Sequence, residues 1–401
     1  MNNRLPTHQP IVIRGIGSIS PLGSDPAAID RAYRLGKPAF QNRALQGALL
    51  PVGALAEQAE AQLKSLAAEK KPYQALDRSV LMAMYAARQA LAAAGWHSAA
   101  GIGINVGSSR GATGLYEQYL EDFLASGQVS SQASPVTTLG NVSSWVANDL
   151  QAQGPLISHS VTCSTALQAL ANGFAWLRAG LADRFLAGGA EAPLTPFTLA
   201  QMKAIGIYSP DPQHPYPCRP HNLERQNTFV LGEGAAIFAL ERWTGEQNPG
   251  APAPVELEAV GFGFETIGSK TCISPEGHNF QLAIREALSR CSGNEPVDLA
   301  ILHAPGTVVG DSAERRALAA VFGQDALPVI TSNKFLVGHT LGASAALSVE
   351  YGCHILQTQQ HLPFCYPNLV APPATRVIRR ILVTAAGFGG NAAAIVLKKW
   401  R

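Results

Sequence analysis

The sequence predicts an α/β protein built from two related halves, and three observations support this prediction. Short apolar runs alternate with amphipathic segments along the chain, as in proteins whose helices cover a largely buried sheet. Residues 156–189 run through a strand, a reactive residue, an Ala-rich helix, a second strand and glycines, and residues 328–390 repeat this plan. The Pro-rich stretch 249–254 separates the two segments, so we expect one half over 1–252 and the other over 253–401.

Each element follows from a local pattern. Helices are predicted where apolar residues recur at three- and four-residue steps, over Ser79–Ala94, 163–179 and Asn279–Arg290. Gly180 follows the second of these helices and supplies its stop signal. Strands are predicted at short, strongly apolar runs, which are Ile11–Ile13, Ile102–Val106, Leu156–Val161, Phe185–Ala187, Ala235–Leu240, Leu299–Leu302 and Ile381–Thr384.

Composition places the chain among folded proteins and argues against a nucleic-acid partner. Hydrophobic residues make up 47% of the 401 residues and charged residues only 14%, so we expect a large core or subunit interface rather than disorder. Thirty basic residues nearly balance 28 acidic ones, and no long run of one sign occurs. Nucleic-acid binding is therefore not expected, although a local patch of arginines can still serve an acidic carrier protein.

Location and cofactors are predicted from the same survey. The N-terminus has no apolar segment behind a basic start, and no apolar stretch is long enough for a membrane span, so neither secretion nor membrane insertion is expected. The six cysteines include no C-x-x-C pair, which favours reduced thiols in a cytoplasmic protein over disulfides or a zinc site. No metal-ligand spacing and no nucleotide-binding loop is recognisable, so no cofactor is expected.

Cys163 is the candidate nucleophile. It stands in HSVTCSTALQAL, between an apolar strand and an Ala-rich helix. The unpaired N–H groups and the positive dipole at a helix N-terminus favour the thiolate, the form that attacks thioesters, and a neighbouring backbone N–H can bind an oxyanion. A buried structural cysteine is the alternative, and that role is the more common one in apolar surroundings.

Two histidines and a lysine are the candidate partners of this thiol. His303 ends a predicted strand in LHAPGTVVGDSAE, a position where ligands of α/β proteins usually bind. In TSNKFLVGHTLGASAAL, Lys334 lies in a predicted loop and His339 opens a predicted helix, which favours a neutral imidazole. The alternatives are a loop histidine bonded to backbone, a packing histidine and a solvated lysine.

A glycine-rich turn is the fourth candidate segment. In TAAGFGGNAAAIVL, Gly387, Gly389 and Gly390 permit a sharp or mobile backbone turn around one aromatic residue, Phe388. Taken singly, each of the four segments also fits a purely structural role. The functional prediction therefore depends on their combination.

In combination, the four segments resemble the β-ketoacyl-acyl-carrier-protein synthases of the thiolase superfamily, in particular the elongating branch with a Cys-His-His set. The resemblance covers nearly the whole chain and implies the thiolase fold, in which two similar α/β halves share a five-layer α-β-α-β-α arrangement. It also implies a homodimer, or a heterodimer with a related subunit. The matching blocks are IVIRGIGSISPLG, TCSTALQALANGFAWLRAGLADRFLAGGAEA, CRPHNLERQNTFVLGEGAAIFAL, H-x-x-G-T-x-x-G-D-x-x-E at 303–314 and K-x-x-x-G-H at 334–339.

The resemblance further implies a reaction and its catalytic residues. Cys163 would take an acyl group from an acyl-carrier-protein thioester. A malonyl thioester would then lose carbon dioxide and attack that acyl group, in a decarboxylative Claisen condensation. His303 and His339 would stabilise the enolate oxygen as neutral donors, and backbone N–H groups of Cys163 and Phe388 would form the oxyanion hole.

Further positions match supporting residues of the family. Lys334 and Glu314 match an inner charged pair that sets the geometry of the histidines. Phe388 matches an aromatic residue that gates access to the cysteine, and Thr307 matches a threonine that hydrogen-bonds the pantetheine arm. With Thr307, the glycines on either side of Phe388 are assigned to substrate and pantetheine binding.

The sequence departs from the family pattern close to this chemistry. Pro305 replaces a threonine of the usual H-G-T-G-T, a change that would weaken the binding of the carrier arm or alter its position. His221–Asn222 stands where Phe-Asp is common, Asn227–Thr228 where Asp-Gly is common, and Asn391–Ala392 where Thr-Asn is common. No catalytic residue is lost, so the departures indicate a specialised branch rather than the housekeeping elongation enzyme.

An active ketosynthase is therefore expected, serving either fatty-acid elongation or a polyketide- or polyene-type pathway. The alternative from another class is a chain-length-factor-like partner subunit, which usually lacks the cysteine found here at position 163. A thiolase condenses without decarboxylation and carries a second cysteine near the C-terminal glycine turn, and GFGGNAAA has none.

Overall fold

The computed structural model describes residues 9–245, 254–266, 268, 273–293, 295–371 and 376–400. The strands are β1 (Ile11–Ile19), β2 (Gln41–Leu45), β3 (Ala48–Gly53), β4 (Gly103–Gly107), β5 (Leu156–Ile157), β6 (Arg184–Glu191), β7 (Leu231–Gly232), β8 (Gly234–Arg242), β9 (Val255–Phe264), β10 (Leu299–Ile301), β11 (Val329–Thr331), β12 (Arg380–Gly387) and β13 (Asn391–Lys399). The α-helices are α1 (Pro26–Leu35), α2 (Glu57–Ala68), α3 (Arg78–Ala93), α4 (Thr113–Ser126), α5 (Ala133–Thr137), α6 (Asn141–Leu150), α7 (Thr165–Arg178), α8 (Pro196–Ala204), α9 (His278–Ser289), α10 (Val308–Phe322), α11 (Lys334–Val337) and α12 (Ser344–Thr358).

The main sheet consists of two five-stranded blocks with the same strand order. The first block runs β5-β4-β6-β8-β1 and the second runs β11-β10-β12-β13-β9. In the first block, β1–β8 and β8–β6 pair antiparallel, whereas β6–β4 and β4–β5 pair parallel. The second block has the same pattern: β9–β13 and β13–β12 pair antiparallel, whereas β12–β10 and β10–β11 pair parallel. A short ladder, Val12 with Glu256 and Ile13 with Val255, joins the blocks. This shared topology confirms that the fold consists of two similar halves.

Both faces of each block are covered, which gives five layers. Along β6, Phe185 and Ala187 enter a central core, whereas Leu186 enters a separate core outside the first block. Along β12, Ile381 enters the central core and Leu382 enters a third core outside the second block. Helices α7 and α12 belong to the central core, α3 to the first outer core and α9 to the second. The predicted α/β thiolase-like arrangement α-β-α-β-α is therefore confirmed.

The two central helices position the candidate site. Helices α7 and α12 contact each other between the blocks. The segment before α7 carries Cys163, and the segment before α12 carries Lys334 and His339. These segments follow β5 and β11, the third strand of each block, so the two halves present equivalent chain positions to one another.

Several local predictions need correction. The strand predicted over Leu156–Val161 ends at Ile157, whose carbonyl accepts from two side chains, the Ser143 hydroxyl (2.6 Å) and the Asn105 amide (3.0 Å). His339 does not open a helix, since a 3-10 turn at Leu341–Ala343 precedes α12. Lys334 does not lie in a loop but begins the one-turn helix α11.

Other predictions stay close to the observed elements or fall outside them. The predicted helices agree with α3, α7 and α9 to within two residues at each end. The predicted boundary between residues 252 and 253 lies outside the described residues, as does all but the last residue of the Pro-rich stretch 249–254. Across the described part of the chain, none of the helices combines the length and apolarity needed to span a membrane.

A small second sheet covers the candidate site. It has the order β2-β3-β7, and its side chains Leu50, Val52 and Leu231 belong to an apolar cluster that also contains Phe229. Cys163 packs against this cluster. The nucleophile candidate therefore faces apolar surroundings supplied by a layer outside the duplicated halves.

Candidate active site

The candidate residues gather at the carboxyl ends of parallel strands. Cys163 follows β5, His303 follows β10, and His339 follows β11. The Gly-rich turn that contains Phe388 connects β12 to β13. Because this edge of an α/β sheet leaves strand ends and helix starts open to ligands, it is the usual place for a binding site.

Cys163 lies just outside α7, with Ser164 at the N-cap position. The residue is partly exposed. Burial of the sulfur raises the pKa of Cys163 to about 12, the nearby carboxylate of Glu191 raises it further, and Lys334 opposes both effects. Desolvation of the charge therefore acts against the thiolate that the helix N-terminus is expected to favour.

Strained backbone lies close to Cys163 and to His339. Thr162, which precedes Cys163, has a φ of 50°, and Leu341, two residues after His339, has a φ of 43°. Such left-handed conformations are costly for residues other than glycine, and they persist only where neighbouring contacts enforce them. One such contact is the 2.7 Å hydrogen bond that the Ser109 hydroxyl donates to the Thr162 carbonyl.

The two histidines lie together and are neutral. Their ring centroids are 5.1 Å apart, with the ring planes at 85°, and the His339 ring also lies 5.3 Å from that of Phe229. Burial is the main cause that lowers the pKa of His339 to about 3 and that of His303 well below its usual value, and the Lys334 charge lowers both. The direction agrees with the expected neutral imidazoles.

The proton of His339 has a defined place. The backbone N–H of Leu341 donates to Nδ1 of His339 at 3.0 Å. A neutral imidazole that accepts at Nδ1 carries its proton on Nε2. The His339 ring is thus fixed as a donor through Nε2, which is the polarity required to bind a developing oxyanion.

Lys334 and Glu314 are both buried but do not touch. The Lys334 ammonium donates to the Ser348 hydroxyl at 2.8 Å, and no ion pair within 4.0 Å joins it to Glu314 among the described residues. Their charges still interact, and burial outweighs that attraction to lower the pKa of Lys334 to about 8.

Glu314 instead holds the loop that carries His303. Its carboxylate accepts hydrogen bonds from the backbone N–H groups of His303 (2.9 Å) and Ala304 (2.8 Å) and from the Thr384 hydroxyl (2.5 Å). Burial raises the pKa of Glu314. The lysine supplies a positive field to the site, while the glutamate fixes the backbone beside one imidazole.

The Gly-rich turn approaches the nucleophile closely. A Cβ atom on Gly387 would lie 1.7 Å from the Thr162 hydroxyl and 3.0 Å from the Cys163 backbone nitrogen, so only glycine fits there. Gly389 has a φ of 94°, which also favours glycine. Phe388, between them, is 41% exposed, so it lies at the surface of the site.

Asn391, one of the departures from the family pattern, links this turn to the nucleophile segment. Its amide nitrogen donates to the Phe388 carbonyl at 3.1 Å, and its amide oxygen accepts from the Ser164 hydroxyl at 2.6 Å. The substitution therefore places a hydrogen-bonded clamp between the residue before α7 and the aromatic turn.

Other departures cluster around the turn that contains Thr307. Asp311 accepts from the backbone N–H groups of His221 (2.8 Å) and Thr307 (3.1 Å). The N–H of Thr228 donates to the Gly306 carbonyl at 2.7 Å, and Asn227 accepts from the first N–H of α10. These substitutions thus touch one loop, the loop that also contains Pro305.

Glu191 is a site residue that the motif search missed. It ends β6 and is wholly buried, and its charge reaches Cys163. The available signal was a carboxylate inside the otherwise apolar run FLAGGAEAP, because such residues are rarely buried without partners.

Comparisons with known proteins agree with this arrangement. The β-ketoacyl synthase N-terminal domain matches residues 8–244, and the β-ketoacyl synthase C-terminal domain matches residues 256–366. The chain is 29% identical to 3-oxoacyl-[acyl-carrier-protein] synthase 2 of Staphylococcus aureus (strain COL), over 97% of this chain and 98% of the relative.

Two further similarities cover equally long stretches. The ketoacyl synthase alpha subunit of the tetracenomycin polyketide synthase of Streptomyces glaucescens is 30% identical, over 97% of both chains. The ishigamide ketosynthase/chain length factor structure superposes with a TM-score of 0.86 at 23% identity, over 98% of this chain and 100% of that chain. With its fold and both domains matched, the chain belongs to the β-ketoacyl synthase family of condensing acyltransferases.

Proposed function

We propose that this protein performs a decarboxylative Claisen condensation between an acyl group on Cys163 and a malonyl group on an acyl carrier protein. The observation that carries the proposal is the convergence of three distant segments around Lys334. Its charge acts on Cys163, His303 and His339, and the two imidazole rings touch each other. This arrangement combines a nucleophile with two neutral donors.

The first half-reaction is acyl transfer to the sulfur. Cys163 attacks the carrier thioester, and the carbon–sulfur bond to the carrier breaks as the bond to Cys163 forms. As the sulfur attacks, the proton of the Cys163 thiol is released, and the departing carrier thiolate accepts it. Backbone N–H groups of Cys163 and Phe388 are assigned to the oxyanion of this step.

The second half-reaction uses the histidines. The malonyl carboxylate leaves as carbon dioxide, and the electron pair of the broken carbon–carbon bond forms an enolate. His339, whose proton lies on Nε2 because Nδ1 accepts from Leu341, donates to the enolate oxygen together with His303. The enolate carbon then attacks the acyl group, and the Cys163 thiolate departs. Neutral donors suit this step because they stabilise oxygen charge without protonating carbon.

The carrier arm is proposed to enter past Thr307 and Phe388. Thr307 lies partly exposed at the N-cap of α10, and Phe388 is exposed at the opposite turn. Gly387 and Gly389 give that turn the close approach and the left-handed backbone it needs. Pro305 supplies no hydroxyl, so the pantetheine contact falls to Thr307.

We assign the subunit interface to α4 and to the free edge at β5. Helix α4 exposes one apolar face, on which Leu124 is 75% exposed and Tyr116, Leu120 and Phe123 are also exposed. Leu156 is exposed on β5, the edge strand of the first block. A ketosynthase-fold subunit, identical or related, would cover this surface, since the similar ishigamide structure comprises a ketosynthase and a chain length factor.

The interface assignment is tested by sedimentation velocity. Leu124→Glu is expected to shift the protein toward monomer, because a charge would be buried in an apolar contact. Leu181→Glu is the matched control, since Leu181 is similarly exposed, at 64%, after α7. An unchanged association state for Leu124→Glu would place the interface elsewhere.

Incubation with acyl-carrier protein followed by intact-mass measurement tests the catalytic proposal. An active synthase gains one acyl group at Cys163, whereas a chain-length-factor-like partner stays unmodified. Release of carbon dioxide from the malonyl carrier then separates a synthase from a thiolase. Absence of an adduct on the folded protein, with or without a related subunit added, would refute the proposal.

We also propose a division between residues 252 and 253 and a cytoplasmic location. The division is supported by the identical strand order on either side and by the two family domains, which end at 244 and begin at 256. The location is supported by the free cysteines of the described chain, Cys163, Cys218, Cys291, Cys353 and Cys365.

A further inference from the structure

Glu191 receives hydrogen bonds from two segments that are distant in sequence. From the turn after β4, it accepts from the Ser108 hydroxyl (2.8 Å) and from the backbone N–H groups of Ser109 (2.7 Å) and Arg110 (3.1 Å). From the 3-10 turn before α12, it accepts from the Gly342 N–H at 2.9 Å. One buried carboxylate therefore ties a turn of the first half to a turn of the second.

Each tied turn leads directly to a catalytic candidate. On one side, the Ser109 hydroxyl donates to the carbonyl of Thr162, the strained residue before Cys163. On the other side, Gly342 follows Leu341, whose N–H donates to Nδ1 of His339. The Glu191 carboxylate thus lies one hydrogen-bonded turn away from both the nucleophile and the imidazole.

The four donors require both carboxylate oxygens. Oε1 accepts from Ser108 and Arg110, and Oε2 accepts from Ser109 and Gly342. A glutamine has the same shape, but in either amide orientation its NH2 group would face at least one backbone N–H donor and leave it unsatisfied. The Glu191 carboxylate also packs tightly against the second turn, because a Cβ on Gly342 would lie only 2.6 Å from Oε2.

We propose that Glu191 is a positioning residue, which holds the Ser108–Arg110 turn against the Leu341–Ala343 turn and so sets Cys163 relative to His339. The inference rests on the proposed condensation but adds a residue that touches neither substrate. On this proposal, Glu191 controls how the two halves are placed relative to each other, and not the structure of either half alone.

Glu191→Gln is the first test, with Glu350→Gln as its matched control. Glu350 is also buried, and burial raises the pKa of both carboxyls to about 7. Glu350, however, is bonded to Ser18 and Tyr33 and not to the turns beside Cys163 and His339. We expect Glu191→Gln to lower kcat of the condensation about 100-fold, the scale of a misplacement near 1 Å, and Glu350→Gln to stay within about twofold.

A split between kinetic constants separates positioning from carrier binding. Because Glu191 contacts none of the residues assigned to the carrier arm, KM for the malonyl carrier should stay unchanged while kcat falls. Labelling of Cys163 by iodoacetamide at about pH 9 should become faster in Glu191→Gln, because the carboxylate raises the pKa of that thiol. Thermal melting checks that both variants are folded.

Ser109→Ala is the second variant, and it decides the question if Glu191→Gln does not fold. It removes the hydroxyl that reaches Thr162 but keeps the backbone donor to Glu191. The expected loss in kcat is about fivefold, the scale of one hydrogen bond. If Glu191→Gln folds, adding Ser109→Ala to it should not lower kcat further, because both substitutions break the same linkage from Glu191 through Ser109 to Thr162.

The proposal is overturned if a folded Glu191→Gln retains kcat within about twofold, or if Glu350→Gln loses as much. An unchanged kcat in Ser109→Ala overturns it as well. Failure of the catalytic proposal itself looks different: Cys163→Ala would then load acyl groups normally, whichever residue stands at 191.

Discussion

The nucleophile side and the histidine side of the site differ in their contact with solvent. Cys163 is partly exposed and Phe388 is 41% exposed. His303 is only 7% exposed, and His339 and Lys334 are each 1% exposed. The proposed nucleophile is partly open to solvent, whereas the residues proposed to stabilise charge are buried.

This difference matches the demands of the two half-reactions. Acyl transfer needs access, because the carrier arm must bring its thioester to the sulfur. Decarboxylation needs strong donors that remain neutral, and hydrogen bonds strengthen when water is excluded. Burial supplies both conditions on the histidine side, since it lowers the pKa of each imidazole and removes competing water.

The largest expected effect is the loss of acyl loading when only the nucleophile side is changed. Cys163→Ala should abolish acyl loading, because no other group of the site carries a covalent intermediate, while leaving the buried imidazoles in place. Intact mass after incubation with acyl carrier protein measures this. Cys365→Ala, which changes an exposed cysteine, is the control and should load fully. Retained loading in Cys163→Ala would move the nucleophile to another residue.

The next largest effect is slower malonyl decarboxylation when the histidine side is changed. His339→Ala should slow malonyl decarboxylation by about 100- to 1,000-fold, the cost of losing one oxyanion donor, with a smaller loss in acyl loading. Carbon dioxide release and loading are measured separately on one preparation. His361→Ala, in a partly buried histidine after α12, should affect neither. Equal losses in both half-reactions would erase the proposed division of labour.

Lys334 sharpens the comparison through its pH dependence. Burial lowers the pKa of Lys334 to about 8, so the ammonium is present below that pH and is lost above it. Decarboxylation should therefore decline as pH rises through about 8. Lys334→Met should be about tenfold slower near neutral pH, on the scale of one charge interaction, and should lack this decline. If decarboxylation by Lys334→Met still declined over this pH range, the decline would have to come from the titration of another group.

The smallest expected effect concerns the turn between the two sides. Asn391→Ala removes the bonds to Phe388 and Ser164, so loading should slow by about fivefold, the scale of one hydrogen bond. Decarboxylation should stay unchanged. Rapid-quench measurement of loading tests this, with Asn368→Ala, a partly buried asparagine outside the turn, as the control. A slower decarboxylation would show that the turn acts on the histidine side too.

Much of this architecture could be predicted from the sequence. Apolar runs marked the strands because both faces of each block are buried, and Leu186 and Phe185 serve different cores although they are neighbours. The residues at 163, 303 and 339 were predicted from the combination and order of their segments, because each segment taken singly also fits a structural role. Such features are local or periodic, so a single sequence displays them.

The remaining features depend on contacts between distant residues. The strand predicted over Leu156–Val161 ends at Ile157, whose carbonyl is bonded to the side chains of Ser143 and Asn105, and no pattern within the strand reveals these partners. The pKa of Cys163 rises because of burial under a separate small sheet and because of Glu191. Glu191 itself gains its role from Gly342, 151 positions away in sequence.

The common strand order of the two halves has a consequence for how this chemistry arose. Cys163 follows the third strand of one block and His339 the third strand of the other. In a tandem gene duplication, these would begin as two copies of one loop, already opposed across the central helices. Divergence of that loop in the two copies would then place a nucleophile on one side and a hydrogen-bond donor on the other.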